Sequence, residues 1–456
     1  LSRIHNLTTG QVYLDVIESE RKGDYLGECV QIIPNITNSI KEKIKHVTEF
    51  QEDGIVLVEC GGTVGDIESL PFVEAIRQLR LELGKENSIF IHVTLAPIMG
   101  PVGEEKTKPT QHSVQELRRI GIQPDIIVVR SDKQLSITSK KKISLFTSVE
   151  LESIISNPDA ESIYSVPENL YNDGIITSII DKLKLPSREM NWKDWKVVSK
   201  TFGKNKKTIN IGMVGKYVSL TDSYVSVNEA LSHAAAGINC NIKLEWVESE
   251  DFENDKEKLK KLDKYDGIIV PGGFGKRGTD GIMLAADYAR NNAIPFLGLC
   301  FGFQLALIAF ARYVCGLEDA NSIELDPKTK NPIINILPSQ KKIKEKGGSM
   351  RLGGHDIELV KGTLAHNIYG KDIIRQRHRH RFEFNKEYQK LFEENNITLS
   401  GFSDEGRRTE ILEISDHPFY MATQYHPEFL SRPGEPEPIN NNFIKAVIEK
   451  KNSIKK

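Results

Sequence analysis

The sequence predicts an α/β protein of two domains, and three observations carry that prediction. Short apolar runs alternate with segments of helical period along most of the chain. The alternation stops between residues 184 and 207, in a polar, basic stretch, and then restarts. Late in the chain one apolar run breaks at Gly298-Leu299-Cys300 before another long apolar segment.

The first part, residues 1–183, reads in order as follows. "DGIVLVEC" (Asp53 to Cys60) has the pattern of a buried strand, and "LPFVEAIRQLRLEL" (Leu70 to Leu83) has helical period. "SIFIHVTLAP" reads as a strand, "SVQELRRIG" as a helix stopped at Gly121, and "DIIVVRS" as a further strand. Continuous apolar strands separated by helices imply a parallel sheet covered on both faces. Residues 184–207 are read as a linker. Residues 208–450 repeat the alternation: strands "TINIGMVG", "NIKLEWVES", "DGIIVPGG" and "IPFLGLC", with helices "SVNEALSHAAAG", "GIMLAADYARNN" and "FQLALIAFARYV" between and after them. The tail "EKKNSIKK" reads as a solvated helix end.

Composition narrows the function classes. Of 456 residues, 39% are hydrophobic and 27% charged, an ordinary globular balance with length for two or three domains. The net charge of −2, with both signs interspersed, argues against a general nucleic-acid or membrane-surface binder. No apolar run is long enough to span a bilayer and no signal peptide is evident. Five scattered cysteines without metal-ligand spacing argue against a disulfide framework and for a reducing, cytoplasmic setting. The chain opens "LSRIHNLTTG" without an initiator Met, so further residues are expected upstream.

The chemistry concentrates at "PFLGLCFGFQLALIAF" (Pro295 to Phe310). Cys300 falls on a strand-to-helix turn, flanked by glycines that permit a strained backbone and close approach of a ligand. A thiol there faces a helix N-terminus, where free N–H groups and the dipole favour a thiolate. A lone cysteine is more often a small core residue; its company changes the balance. "ATQYHPEFL" supplies His426 and Glu428 two positions apart, on one face if the segment is extended, so that a carboxylate orients an imidazole able to take the thiol proton. "IIVPGGFGKRG" ends a strand in Gly272, Gly273 and Gly275, a turn whose N–H groups can hold an oxyanion.

"PGGFGKRG", "GLCFGFQ" and "QYHPEF" together resemble the signatures of class I glutamine amidotransferases. The resemblance implies that Cys300 attacks the glutamine side-chain amide, forming a glutamyl thioester and releasing ammonia, with His426 as general base and Glu428 as its partner. It also implies glutamine contacts from Gly273, Phe301, Gly302, Phe303, Gln304, Glu324 in "NSIEL" and Arg381 in "RHRHRFE". Phe301 and Phe303 replace the Leu and Met common at those places, which keeps apolar character.

In the first part, Glu59 falls at the end of the Asp53–Cys60 run, where open α/β sheets bind ligands and a carboxylate suits Mg²⁺ carried by phosphates. "GGTVGDIE" carries Asp66 and Glu68 on a turn. "GEEKTKPTQHS" gathers Lys106, Thr107, Lys108, Thr110 and Gln111 in what reads as a loop, suited to phosphate oxygens. "VVRSDK" sets Arg130 at a strand end. As isolated features these have bland readings too, as helix-terminal charges or a solvated loop.

In this order, "GDYLG", "QIIP", "GGTVGDIESLPF", "KTKPTQHSV" and "MRLG" resemble the synthetase part of the CTP synthase family, over nearly the whole chain. The resemblance implies a P-loop-NTPase-like amidoligase domain in which ATP phosphorylates the 4-oxygen of UTP and ammonia displaces that phosphate. It implies Glu59 as a Mg²⁺ ligand. Asp66, Ile67, Glu68, Lys106, Thr107, Lys108, Pro109, Thr110, Gln111 and Lys142 would line the UTP site or the overlapping CTP feedback site. Arg130, Pro158, Asp159 and Ala160 lie toward the ATP adenine. GTP activation, homotetramers and filaments are family properties as well. One departure is plain: no G-x-x-x-x-G-K-[ST] occurs, and "GMVGKY" (Gly212 to Tyr217) has the wrong spacing. A polypeptide truly lacking that loop is expected to hydrolyse glutamine without forming CTP. The lid-like "PSQKKIKEKGGSMRLGG" is short and lysine-rich, which bears on the GTP contacts. Two rival readings are a glutaminase joined to a different synthetase and an assembly protein with inert sites.

Overall fold

The computed structural model describes residues 3–49, 54–99, 103–201, 207–216, 224–337 and 350–453. It divides into two compact units, Leu1–Asn191 and Trp192–Lys456.

In the first unit, helices α1 (Thr9–Lys22), α2 (Thr37–Thr48) and α3 (Leu70–Leu83) precede β1 (Ile91–Leu95) and a minimal hairpin of β2 (Ile98–Met99) and β3 (Glu104–Glu105). There follow α4 (Lys108–Arg119), β4 (Ile126–Ser131), α5 (Ile137–Thr147), β5 (Ile154–Pro158), α6 (Val166–Asn172) and α7 (Ile175–Leu183). Strands β1, β4 and β5 pair in parallel in that order. One face of this sheet buries Ile127, Val129 and Ile154 with Val114 of α4 and Ile143 of α5. The other buries Ile126, Val128 and Ile155 against Leu170, Ile175 and Ile179 of α6 and α7. The residues of β4 are buried on both faces, which is why "IIVV" shows no alternation. A separate apolar cluster, built on Val12, Val16, Ile36, Ile40 and Ala75, joins α1, α2 and α3.

The expected strand at Asp53–Cys60 does not form. Asp53 lies outside the described residues; Gly54–Cys60 is irregular, and Ile55 and Leu57 are 72% and 88% exposed. An apolar run becomes a buried strand only when a neighbour completes its ladder, and no described strand pairs with this one. The Lys106–Gln111 loop is also corrected. Lys108–Gln111 form the first turn of α4, started by Pro109, whose missing N–H costs nothing there.

The second unit begins with α8 (Lys193–Thr201), so part of the expected linker is helical. Its heart is a nine-stranded mixed sheet. In chain order come β6 (Thr208–Gly215), α9 (Val225–Ile238), β7 (Asn241–Glu248), α10 (Glu250–Asn254), β8 (Gly267–Val270), α11 (Thr279–Asn291), β9 (Phe296–Leu299) and α12 (Phe301–Tyr313). The later part holds β10 (Ala320–Ser322), β11 (Asn331–Ile336), β12 (Arg351–Leu359), α13 (Leu364–Tyr369), β13 (Ile373–His380), β14 (Phe382–Phe384) and α14 (Gln389–Glu394). It closes with β15 (Thr398–Ser403), β16 (Arg408–Glu413), β17 (Tyr420–Thr423) and α15 (Pro438–Ser453). The sheet order is β13-β12-β15-β16-β17-β9-β8-β6-β7. The stretch from β17 to β7 is parallel and the stretch from β13 to β17 antiparallel.

Helix α12 is apolar all round, and residues Phe301 to Ala311 are all buried. It packs in one core with α11 and with β8, β9 and β17, while α9 and α15 cover the opposite face. A helix wrapped on every side cannot shift without opening that core, so the residue at its N-terminus, Cys300, has a fixed base. No described helix is long and apolar enough to cross a membrane.

Candidate active site

Three adjacent parallel strands deliver the second unit's chemistry to one sheet edge. β8 ends before Gly272 and Gly273, β9 before Cys300, and β17 before Gln424 and His426. The backbone N–H of Cys300 donates to Thr423 O at 2.7 Å, tying the cysteine to the strand that carries the histidine. Cys300 has φ 50 and ψ −94, a strained conformation for a non-glycine residue at the N-terminus of α12. Its side chain is turned from the helix into a cavity of about 420 Å³ lined by Gly273, Phe301, Gln304, Glu324, His380, Arg381 and Phe382 among others.

His426 and Glu428 meet, but not on an extended segment. Pro427–Phe429 is a short 3-10 turn, and Oε1 of Glu428 lies 2.7 Å from Nδ1 of His426. The ring stacks on Phe429, with centroids 5.0 Å apart and planes at 20°. The His426 N–H donates to Arg377 O at 2.9 Å, docking the turn on β13. Burial alone would lower the basicity of His426. The ionised form of Cys300 and the Glu428 carboxylate outweigh it and hold the imidazole well above its ordinary range. Gly272 makes room for this pair: a Cβ there would lie 3.0 Å from Cε1 of His426 and 3.7 Å from Cβ of Cys300.

Around the sulfur, Arg379 O accepts from the thiol at 3.7 Å and Nε2 of Gln424 donates to Sγ at 3.8 Å. Oε1 of Gln424 accepts from Nε2 of Gln304 at 3.2 Å, and the same Nε2 donates to Phe382 O at 2.9 Å. Glu324 accepts from the Gly275 N–H at 3.2 Å. Burial raises its carboxyl, opposed by that N–H and by Lys216 and Arg381. Lys216 is itself buried, which drops its ammonium to about 8, and its Nζ sits 4.6 Å over the Phe301 ring.

The expected glutamine contacts therefore split. Gly273, Phe301, Gln304, Glu324 and Arg381 line the cavity with Cys300; Gly302 and Phe303 do not. Gly302 is pressed against the backbone of Val270, and Phe303 is fully buried in the core. Both face the sheet because a helix beginning at Cys300 turns those positions inward. Gln424 was part of the quoted "QYHPEF" motif yet had no role in the sequence reading. Its hydrogen bonds depend on strands far apart in the chain, which spacing does not reveal.

Behind the cavity, Nη1 of Arg351 lies 2.7 Å from Oε1 of Glu410 and 3.3 and 3.4 Å from Nδ1 of His378 and Nε2 of His380. His378, His380 and Glu410 have the proximity of a metal site, but a guanidinium already serves as their cation. Burial and Arg351 bring His378 down to about 2, and burial above all brings His380 to about 3, so both rings are neutral.

In the first unit, Glu59, Asp66 and Glu68 line one cavity of about 630 Å³. Asp66 precedes a 3-10 turn, Ile67–Ser69, that leads into α3, and Ile67 is exposed. Residues 106–111 do not line that cavity. Thr107, Thr110 and Gln111 are buried: Thr110 donates to Leu95 O at 3.1 Å, and Gln111 donates to Oγ1 of Thr107 at 3.1 Å. Lys108 and Pro109 are exposed, and Lys106 pairs with Glu104 at 2.6 Å. That hydrogen bond, with Lys142 as a weaker electrostatic contributor, holds the Glu104 carboxyl low. Arg130 and Asp159 form an exposed pair at 3.5 Å, and Asp159 N donates to Ser131 O. Parallel strands β4 and β5 thus bring Arg130 and Pro158–Ala160 to one end of the sheet.

Comparison with known proteins agrees with this division. Residues 1–185 match the family model described as CTP synthase N-terminus, and residues 219–446 match that of glutamine amidotransferase class-I. The CTP synthase of Clostridium kluyveri is 50% identical over 456 residues, covering 100% of this chain and 84% of the relative. That of Thermococcus kodakarensis is 50% identical over 452 residues, 99% of this chain and 84% of the relative. The glutaminase domain of Trypanosoma brucei CTPS, solved with bound acivicin, is 35% identical with a TM-score of 0.50, covering 53% of this chain and 94% of that one. The chain belongs to the CTP synthase family.

Proposed function

We propose that this chain performs its family's reaction, the ATP-dependent amination of UTP to CTP with nitrogen drawn from glutamine. One observation carries the glutaminase half: a strained, buried Cys300 opens into a single cavity with Gly273, Gln304, Glu324 and Arg381 while His426 and Glu428 pair behind it.

The chemistry runs from these groups. With its proton on His426, the Cys300 thiolate attacks the side-chain carbonyl carbon of glutamine. The developing oxyanion faces the Gly272–Gly273 turn. His426 returns the proton to the leaving nitrogen, which departs as ammonia, and a glutamyl thioester remains for water to cleave. Glu428 keeps the imidazole oriented and stabilises its charged form. Glu324 suits the amino end of glutamine and Arg381 its carboxylate.

In the synthetase part, the 4-oxygen of UTP takes a phosphoryl group from ATP, and ammonia then displaces phosphate. We assign the nucleobase and phosphate contacts to Asp66–Glu68, Lys106–Gln111 and Lys142. Lys108 and Lys142 are exposed and Lys106 would exchange its Glu104 partner for a ligand; the buried Thr107, Thr110 and Gln111 position the turn that carries Lys106 and Lys108. Arg130 and Pro158–Ala160 are assigned to ATP. Exposed Glu59, in one cavity with Asp66 and Glu68, offers the hard oxygen donor that Mg²⁺ takes alongside phosphates. That ion would neutralise charge on the transferred phosphoryl group. GTP activation, CTP feedback, a homotetramer able to form filaments and a cytoplasmic location complete the proposal. The free cysteines accord with a reducing compartment. The lid-like stretch assigned to GTP falls mainly on 338–349, outside the described residues.

The test supplies glutamine, ATP, UTP and GTP and follows glutamate release and CTP absorbance separately. Both products are expected of a polypeptide that includes the family's phosphate loop, and glutamate alone of one that lacks it. No glutamate release would overturn the glutaminase assignment, and glutamate without CTP would overturn the synthetase assignment for this polypeptide.

A further inference from the structure

Gln424 is 1% exposed and stands between two structural fixtures. Phe382 O is a backbone acceptor, so the Gln304 nitrogen bonded to it at 2.9 Å must be the amide N. That nitrogen also donates to Gln424 at 3.2 Å, so the Gln424 atom facing Gln304 must be its oxygen. By elimination the Gln424 amide N–H₂ points at Cys300, 3.8 Å from Sγ. One backbone carbonyl thus fixes the orientation of two side-chain amides in series.

The opposite side of the sulfur faces Arg379 O, 3.7 Å away. A carbonyl there suits a neutral S–H donor and disfavours a thiolate, whereas an N–H donor favours the thiolate. The two contacts therefore act on the thiol in opposite directions, and Gln424 adds to the pull toward the thiolate that the charged His426 imidazole and the N-terminus of α12 already exert.

We infer that Gln424 is a positioning residue for glutamine hydrolysis, its oriented carboxamide holding the ionised sulfur of Cys300 toward the cavity. The inference rests on Cys300 being the nucleophile. Its readout is thiolate formation, which can be measured whether or not glutamine is turned over. Gln304 acts one step removed, by keeping the Gln424 donor turned the right way.

The experiment measures alkylation of Cys300 by iodoacetamide against pH, with the labelled peptide located by mass spectrometry. Gln424→Met keeps the volume and removes the donor; Gln424→Glu keeps the shape and puts an acceptor beside the sulfur. Both profiles are expected to move to higher pH, with alkylation at neutral pH about tenfold slower, the size of one charge-assisted hydrogen bond. The Glu variant is expected to move further, and Gln304→Leu to move the profile in the same direction by less. Folded Met and Glu variants with the wild-type profile would overturn the proposal. Should both fail to fold, glutamine-labelled ¹⁵N spectra of the wild-type protein decide. A side-chain amide resonance should follow the titration of Cys300 and lose that response in Cys300→Ala; no such resonance would overturn it. Glutamine hydrolysis surviving in Cys300→Ala would instead defeat the nucleophile assignment alone.

Discussion

Oε1 of Glu428 sits 2.7 Å from Nδ1 of His426, in a turn that also stacks Phe429 on the imidazole. In the proposed reaction this pairing sets the acid–base partner of Cys300. Glu428→Gln keeps the hydrogen-bonding shape and removes the charge that favours the imidazolium. Glutamine hydrolysis is expected to fall on the order of a hundredfold. Because the carboxylate raises His426, its loss lowers that group, and the alkaline limb of kcat/KM should move to lower pH. A pH–rate profile checks both; an unmoved alkaline limb contradicts the role given to Glu428.

Two glycines near the site separate catalytic from structural crowding. At Gly272 an added Cβ meets the movable His426 ring at 3.0 Å. Gly272→Ala is expected to slow glutamine hydrolysis about tenfold or more while leaving the melting temperature nearly unchanged. At Gly302 the added Cβ meets the backbone of Val270 in the core. Gly302→Ala is expected to cost about 1–3 kcal/mol, seen as a lower melting midpoint. Thermal melts beside initial rates distinguish the two.

The Arg351–Glu410 pair is buried, with side chains 5% and 0% exposed. Removing only the arginine strands a carboxylate, so Arg351→Met is expected to destabilise the second unit by about 3–5 kcal/mol. Arg351→Met with Glu410→Met should recover much of that loss. Denaturant titration of the three proteins measures it, and a single variant as stable as wild type would contradict the pairing.

Burial lifts Glu383 from an ordinary carboxyl near 4.5 to about 7, with Arg408 at 3.4 Å compensating in part. The folded-state value exceeds the unfolded one, so the stabilising contribution is full below about pH 4.5 and is lost as pH rises through about 7. Glu383→Gln does not titrate. Its melting temperature should fall less between pH 5 and pH 8 than that of wild type, by a few degrees. An equal fall in both proteins would contradict the assignment.

Much of this architecture was legible in the sequence, for definite reasons. Strands such as β4 and β9 are apolar on both faces and stand out as unbroken runs, and α3 ends at Leu83 because Gly84 takes a positive φ. The sequence could point to Cys300, His426 and Glu428 as candidates because local motifs at strand ends carry them. The misreadings share a cause: they depended on neighbours. The Asp53–Cys60 run has the right residues for a strand but no described partner to pair with. Thr107, Thr110 and Gln111 have polar side chains that suggest a loop, yet they are consumed by bonds within α4 and to Leu95 O. The buried Arg351–Glu410–His378–His380 cluster joins β12, β13 and β16, and no local spacing announces it.

The most direct test of the account is to trap the acyl intermediate. The protein is mixed with glutamine, quenched in acid within the first turnovers, digested and weighed by mass spectrometry. A glutamyl adduct on the peptide holding Cys300 is the expected result, absent from Cys300→Ala. Continued glutamate production with no adduct on that peptide, or with an adduct on another residue, would contradict it.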